Sequence, residues 1–154
     1  MGERKFVEDF ISFLKSKKNI NGIELSTLEF YLYRNPSRSG YHFYVLNESV
    51  YPDFVLWVKR NKDGVKTQSI AYIEPHGLVH SDPGNDPKLN LPNYLKSIGN
   101  KIMQIDVQAF IISVTKRSDL KWISRNKNKP EEMGIVFQNE SDYIKKILES
   151  IVHK

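Results

Sequence analysis

A chain of 154 residues with 23 Lys and Arg against 18 Asp and Glu has a formal net charge of +5, and 40% of its residues are hydrophobic. That length suits one domain burying about two-thirds of its unfolded surface, and the charge suits a polyanionic partner without demanding one. The lack of cysteine excludes disulfides and cysteine-ligated zinc. No apolar run reaches the length of a membrane span and the amino terminus is too charged for a signal peptide, so a cytoplasmic location is expected.

Residues 3 to 18 predict an amphipathic helix, with Phe6, Val7, Phe10, Ile11, Phe13 and Leu14 at helical spacing. At about 100° per residue Glu3 falls near the middle of the apolar face and Glu8 on the solvent side, so Glu3 is the acid this helix offers to a buried site. The helix dipole alone also favours a first-turn glutamate. Residues 27 to 33 fit a strand or a short helix. Arg34 to Gly40 form a basic loop, in which Arg34 and Asn35 are equally suited to contact a phosphate or to close the sheet. A strand over 41–46 and a turn over 47–49 follow.

The run Tyr51-Pro52-Asp53-Phe54-Val55-Leu56-Trp57-Val58 reads as a buried strand, ended by the turn Asn61-Lys62-Asp63-Gly64. Ser69-Ile70-Ala71-Tyr72-Ile73-Glu74 reads as its hairpin partner, stopped by Pro75 and Gly77. Asp53 and Glu74 then stand on neighbouring strands, and Glu74 and His76 project to one side of the sheet with Pro75 turned away. Carboxylates buried on a strand face need a cation or hydrogen-bond donors, which makes Mg²⁺ or Mn²⁺ a natural occupant. His76 and His80 do not make a zinc pair, because Pro75 and Gly77 break the helix that would align them.

Three prolines and Gly84 predict a long surface loop over 80–92, then a helix starting around Pro92. Residues 107–114 form the clearest buried strand. A basic stretch over 116–129 holds Trp122. Residues 134–138 predict a short strand and 140–152 a closing helix capped by Asn139 or Ser141. The order predicts an α/β protein with a mixed sheet flanked by helices.

The pair Pro52-Asp53 followed by Glu74-Pro75-His76 resembles the PD-(D/E)xK nuclease pattern, with His76 where lysine is usual. With Tyr31-Leu32-Tyr33-Arg34-Asn35, Gly40-Tyr41-His42-Phe43 and Gly77-Leu78, residues 3 to 105 look similar to the nuclease domain at the carboxyl end of type III restriction enzyme-like helicases. The resemblance implies a restriction endonuclease-like fold and metal-dependent endonuclease cleavage of DNA. Asp53, Glu74 and the backbone carbonyl of Pro75 would hold one or two Mg²⁺ (or Mn²⁺) ions, and Asp53, Glu74, His76 and Glu3 would be the catalytic residues.

Histidine does not supply lysine's fixed charge. His76 would act as a base or orient water, and the missing cation would come from Lys88, Lys96 or Lys101. DNA contacts are expected from Arg34, Asn35, Arg38, Lys88, Lys96 and Lys101. Lys116, Arg117, Lys121, Arg125, Lys127 and Lys129 would follow the DNA backbone with Trp122 stacked on a base, or simply be solvated charge. No GxxxxGK[ST] loop occurs, so no ATP-driven motor is expected. The chain would be one nuclease-like domain, excised from a longer helicase-nuclease or free-standing, acting with a helicase module and pairing into a dimer on DNA. A noncatalytic DNA-binding or assembly module on the same fold is the competing expectation, and an α/β protein whose basic surface meets a protein partner is the third.

Overall fold

The structure is a computed structural model that describes residues 2–99, 101–102 and 105–152. Helix α1 (Gly2–Ser16) leads into the small hairpin β1 (Asn19–Ile20) and β2 (Ile23–Glu24), then strand β3 (Leu28–Arg34). A second hairpin, β4 (Phe43–Val45) and β5 (Glu48–Val50), precedes the long strands β6 (Phe54–Lys62) and β7 (Val65–His76). Helix α2 (Pro87–Ser97), β8 (Lys101–Ile102), β9 (Ile105–Ser113), β10 (Ile135–Phe137) and α3 (Tyr143–Ile151) complete the chain, with 3-10 turns between β9 and β10.

The main sheet runs β10-β9-β7-β6-β3, with β8 added to β9. Strands β7, β9 and β10 are parallel; β3–β6, β6–β7 and β8–β9 are antiparallel. The result is an α/β fold with a mixed sheet flanked by three helices. The turn joining β6 to β7 takes positive φ at both Asp63 and Gly64 (52° and 81°), the backbone a two-residue hairpin prefers.

Side chains alternate between two cores. Phe54, Leu56, Val58, Ala71 and Ile73 pack with Phe6 and Phe10 of α1 and the apolar stripe of α3. The other face packs Ile70, Tyr72, Val107 and Ala109 with Leu91 and Leu95 of α2 and with Val45 and Val50 of the second hairpin. Strand β9 is covered on both faces from Ala109 to Ile112, which accounts for the unbroken apolar run there. Each fully buried Ile or Leu contributes about 1.5–3 kcal/mol.

One open alternative is settled and three expectations are corrected. The segment 28–34 is a strand, because every residue from Leu28 to Arg34 pairs with β6, a non-local partner that periodicity alone does not reveal. The turn expected over 47–49 sits at Leu46 and Asn47, both with positive φ, and Glu48–Val50 returns as β5. Helix α2 starts at Pro87, not near Pro92. Asp86 caps it by accepting from the Lys88 N–H, and Pro87 fills the first turn, where a missing N–H costs nothing. Pro92 sits inside the helix and packs on Gly134, where an added Cβ would lie 2.6 Å from the Pro92 Cβ. Helix α3 starts at Tyr143 with Asp142 at the cap position, so neither Asn139 nor Ser141 caps it. The chain instead closes turns at Glu140, whose N–H donates to Phe137 and whose carbonyl accepts from Tyr143.

Candidate functional site

In the β6–β7 ladder Phe54 stands opposite Ile73, so Asp53, one residue before β6, falls opposite Glu74. The Asp53 N–H donates to Glu74 Oε2 at 2.9 Å. The strand ends themselves thus bring the two acids together. On the other side the Asn35 N–H donates to the Asp53 carbonyl at 2.8 Å.

Asn35 is buried, and its side-chain amide donates to the carbonyls of Pro52 and Tyr41 while its oxygen accepts from the Tyr41 N–H. Every one of those contacts is internal. Asn35 therefore clamps the loop that carries Pro52 and Asp53 and does not face DNA, which corrects that part of the expectation. Gly40 is required beside it, since a Cβ there would meet Asn35 Oδ1 at 2.2 Å.

Glu74 is 2% exposed. A bare carboxylate at that depth would be costly. Its second oxygen, Oε1, accepts from the Lys88 ammonium in the first turn of α2. Burial by itself would lower the pKa of Lys88, but the bond to Glu74 and the charges of Glu74, Asp53 and Asp86 hold it above the ordinary value. Lys88 is therefore a permanent cation at the acid pair.

Asp86 fixes that arrangement. One of its oxygens caps α2 through the Lys88 N–H at 2.9 Å and the other meets His76 Nε2 at 2.7 Å. Burial would raise the Asp86 pKa, yet bonds from Ser81, His76 and the Lys88 backbone hold it below the usual carboxylate range. His76 is thus tied through Nε2 to the start of α2.

Asp53 behaves in the opposite sense. Burial, the negative charges of Glu74 and Glu3, and a hydrogen bond with Glu3 push its carboxyl up to about 7, and Arg34 offsets only part of this. Arg34 lies 2.9 Å from Glu3 Oε2 and 3.6 Å from Asp53 Oδ1, with its guanidinium over the Phe54 ring. Glu3, offered by the first turn of α1, therefore borders the acid pair.

The fold gathers Asp53, Glu74, Pro75, His76, Glu3, Arg34 and Lys88 at one end of the sheet. It does not gather the rest. Lys96 sits at the far end of α2 and donates to the Glu132 carbonyl at 3.1 Å. Trp122 is buried in the core beneath the 3-10 turns, so it cannot stack on a base, and that expectation is corrected. Arg117 is held between Glu131 and Glu140 over the Phe137 ring. Arg38 is exposed in the loop after β3, and the side chain of Lys101 lies outside the described residues.

Asp86 is the residue sequence reasoning missed. Its signal was an aspartate directly before Pro87, a cap followed by a first-turn proline.

Among the described residues no three His, Asp or Glu side chains cluster as a metal set. The donors at hand are the carboxylates of Asp53 and Glu74, the latter already accepting from the Asp53 N–H and Lys88. These are hard oxygens of the kind Mg²⁺ and Mn²⁺ take, with water filling the remaining positions. Burial first, and then repulsion by Glu74 and Glu3, raise Asp53, and a cation would offset both, so the donor set fits such an ion. Comparison with protein-family models, with curated proteins and with solved structures finds no match for the chain, and the reading of the site rests on this geometry.

Proposed function

We propose that the chain is a Mg²⁺- or Mn²⁺-dependent DNA endonuclease of the PD-(D/E)xK type, with its lysine supplied by α2 and not by the motif strand. The observation that carries this reading is the convergence of Asp53, Glu74 and Lys88 at one sheet end. When bound, the ion would polarise the scissile phosphate and lower the pKa of an attacking water.

The chain's own groups have separable tasks. Asp53, Glu74 and the Pro75 carbonyl supply oxygen donors, and Glu74 also fixes the Asp53 backbone. Lys88 carries a positive charge towards the phosphate and the attacking water, the task expected of a lysine at position 76. His76 and Asp86 hold the first turn of α2 so that Lys88 stays on Glu74. Arg34 keeps Glu3 and Asp53 from repelling each other unscreened. In the net reaction water adds to phosphorus, the P–O bond to the leaving strand breaks, and the water's proton ends on the departing oxygen or in solvent.

A second reading, a noncatalytic DNA-binding or assembly module, is favoured by one observation. Both oxygens of the buried Glu74 are already satisfied by protein donors, so the pair is stable without an ion. Plasmid nicking with Mg²⁺, Mn²⁺ or EDTA separates the two. The nuclease reading predicts metal-dependent nicking that disappears in Asp53→Ala, whereas DNA binding equal with and without metal, and no nicking, supports the module.

A further inference from the structure

The sheet face that carries Asp53 and Glu74 continues away from them as a strip of exposed rings. Counting along the ladder in steps of two, the row beyond Asp53 and Glu74 is Tyr33, Val55 and Tyr72, and the next is Tyr31, Trp57 and Ile70. Rows on one face are about 7 Å apart, two residues of strand rise. On this face α2 and the β4–β5 hairpin cover β7 and β9 but leave the β3 and β6 side open. Tyr31 is 49% exposed, Tyr33 50% and Trp57 38%. Burial first, and then the neighbouring Tyr41, itself 62% exposed, raise the Tyr72 pKa.

The rings are neither an accident of a thin edge nor a plain apolar patch. Tyr31 and Trp57 lie 6.0 Å apart, ring to ring. Lys59 places its ammonium 4.3 Å from the Trp57 ring centre and 5.4 Å from that of Tyr31, and the Trp57 indole N–H donates to Gln68 at 2.9 Å. The Tyr31 hydroxyl also donates to the exposed Glu29, so Lys59 and Glu29 balance locally, and flat rings on a rigid sheet in a chain of net charge +5 suit a polyanion that offers planar apolar faces. In duplex DNA the base faces are closed by stacking, so rings lying on a sheet cannot reach them. In a single strand those faces are open.

We infer that the open face of β3 and β6, built on Tyr33, Tyr31 and Trp57, is a stacking platform for the unpaired bases of single-stranded DNA running from the acid pair. The inference deepens the nuclease reading and rests on it for the position of the strand at Asp53 and Glu74. Lys59 would leave the rings for a backbone phosphate as bases take its place. An extended strand crossing the row spacing in successive steps would set one base over Tyr33 and the next over Tyr31 and Trp57.

The test is fluorescence anisotropy of labelled oligothymidylate and of a short blunt duplex in EDTA, with the parent and with Tyr31→Leu, Tyr33→Leu and Trp57→Leu. These side chains are exposed, so the variants should fold, and far-ultraviolet circular dichroism checks it. Tyr31→Phe and Trp57→Phe keep a ring at each position. The expected result is tighter binding of the single strand than of the duplex, a loss of about tenfold or more for each leucine variant, and near-parental binding for the phenylalanine variants. Quenching of Trp57 fluorescence by oligothymidylate, absent in Trp57→Phe, should accompany it.

Equal or tighter duplex binding, or single-strand binding indifferent to the leucine variants, would overturn the platform even if the protein nicks DNA. Ring-dependent single-strand binding by a protein that cuts nothing would keep the platform and remove the nuclease.

Discussion

Asp53 shows how the site's chemistry follows from the placement of one residue. Its carboxyl, buried beside Glu74 and Glu3, has a pKa of about 7 against an ordinary 3.8. Because the folded state holds a proton that the unfolded state has released, the contribution of Asp53 to stability is full below about pH 4 and is lost as pH rises through 7. The metal-free protein should therefore melt at a lower temperature at pH 8 than at pH 5.5 by more than Asp53→Asn does, and Mg²⁺ should restore more stability at pH 8 than at pH 5.5. Thermal melts with EDTA or Mg²⁺ at the two pH values check this; an equal metal effect at both would contradict it. Lys88 is the counterpart. Lys88→Met leaves Glu74 buried with one oxygen unpaired, and should cost about 1–3 kcal/mol, the lower range for a pair because Lys88 is partly exposed. Adding Glu74→Gln to Lys88→Met should recover part of that loss in denaturant melts, since the stranded charge is then gone.

At the level of elements, the start of α2 carries the site. Asp86→Ala removes both the cap and the partner of His76, and should cost about 1–2 kcal/mol. It should also reduce nicking although Asp86 touches no reacting atom in the proposed scheme. His76→Gln, which leaves the cap intact, should cost less in both denaturant melts and nicking rate. This helix start was only half legible in the sequence. Pro87 reads as a loop residue and Pro92 as the start of the helix. Only the Asp86 cap makes Pro87 a first-turn proline, and only Gly134, far away in sequence, gives Pro92 its place. By contrast the β6–β7 hairpin was legible, because Asp63-Gly64 and the flanking apolar runs are local signals. The same holds for β9, whose apolar run is covered on both faces. The 28–34 segment was not, since its strand state depends on pairing with β6.

Across the whole molecule, the fold brings the carboxyl ends of β3 and β7, the approach to β6 and the starts of α1 and α2 to one place. That is why Asp53, Glu74, Glu3, Arg34 and Lys88 meet although they span the first 88 residues. The second half of the chain builds the support. Trp122 shows the limit of reading residues singly: in a basic stretch it looks like a base-stacking ring, yet the 3-10 turns fold it into the core with Leu78, Leu89 and Ile111. Gly134 closes the same support against Pro92, so Gly134→Ala, forced to φ +76° and 2.6 Å from the proline, should lower the unfolding free energy by about 1–3 kcal/mol in denaturant melts. In the proposed nuclease site Lys88, and not His76, supplies the cation. The most direct test is the nicking rate of supercoiled plasmid by the parent, Lys88→Met and His76→Gln in Mg²⁺ and in EDTA. The parent should nick in Mg²⁺ alone, Lys88→Met should not nick, and His76→Gln should nick more slowly; nicking retained by Lys88→Met, or none by the folded parent, would contradict this role of Lys88.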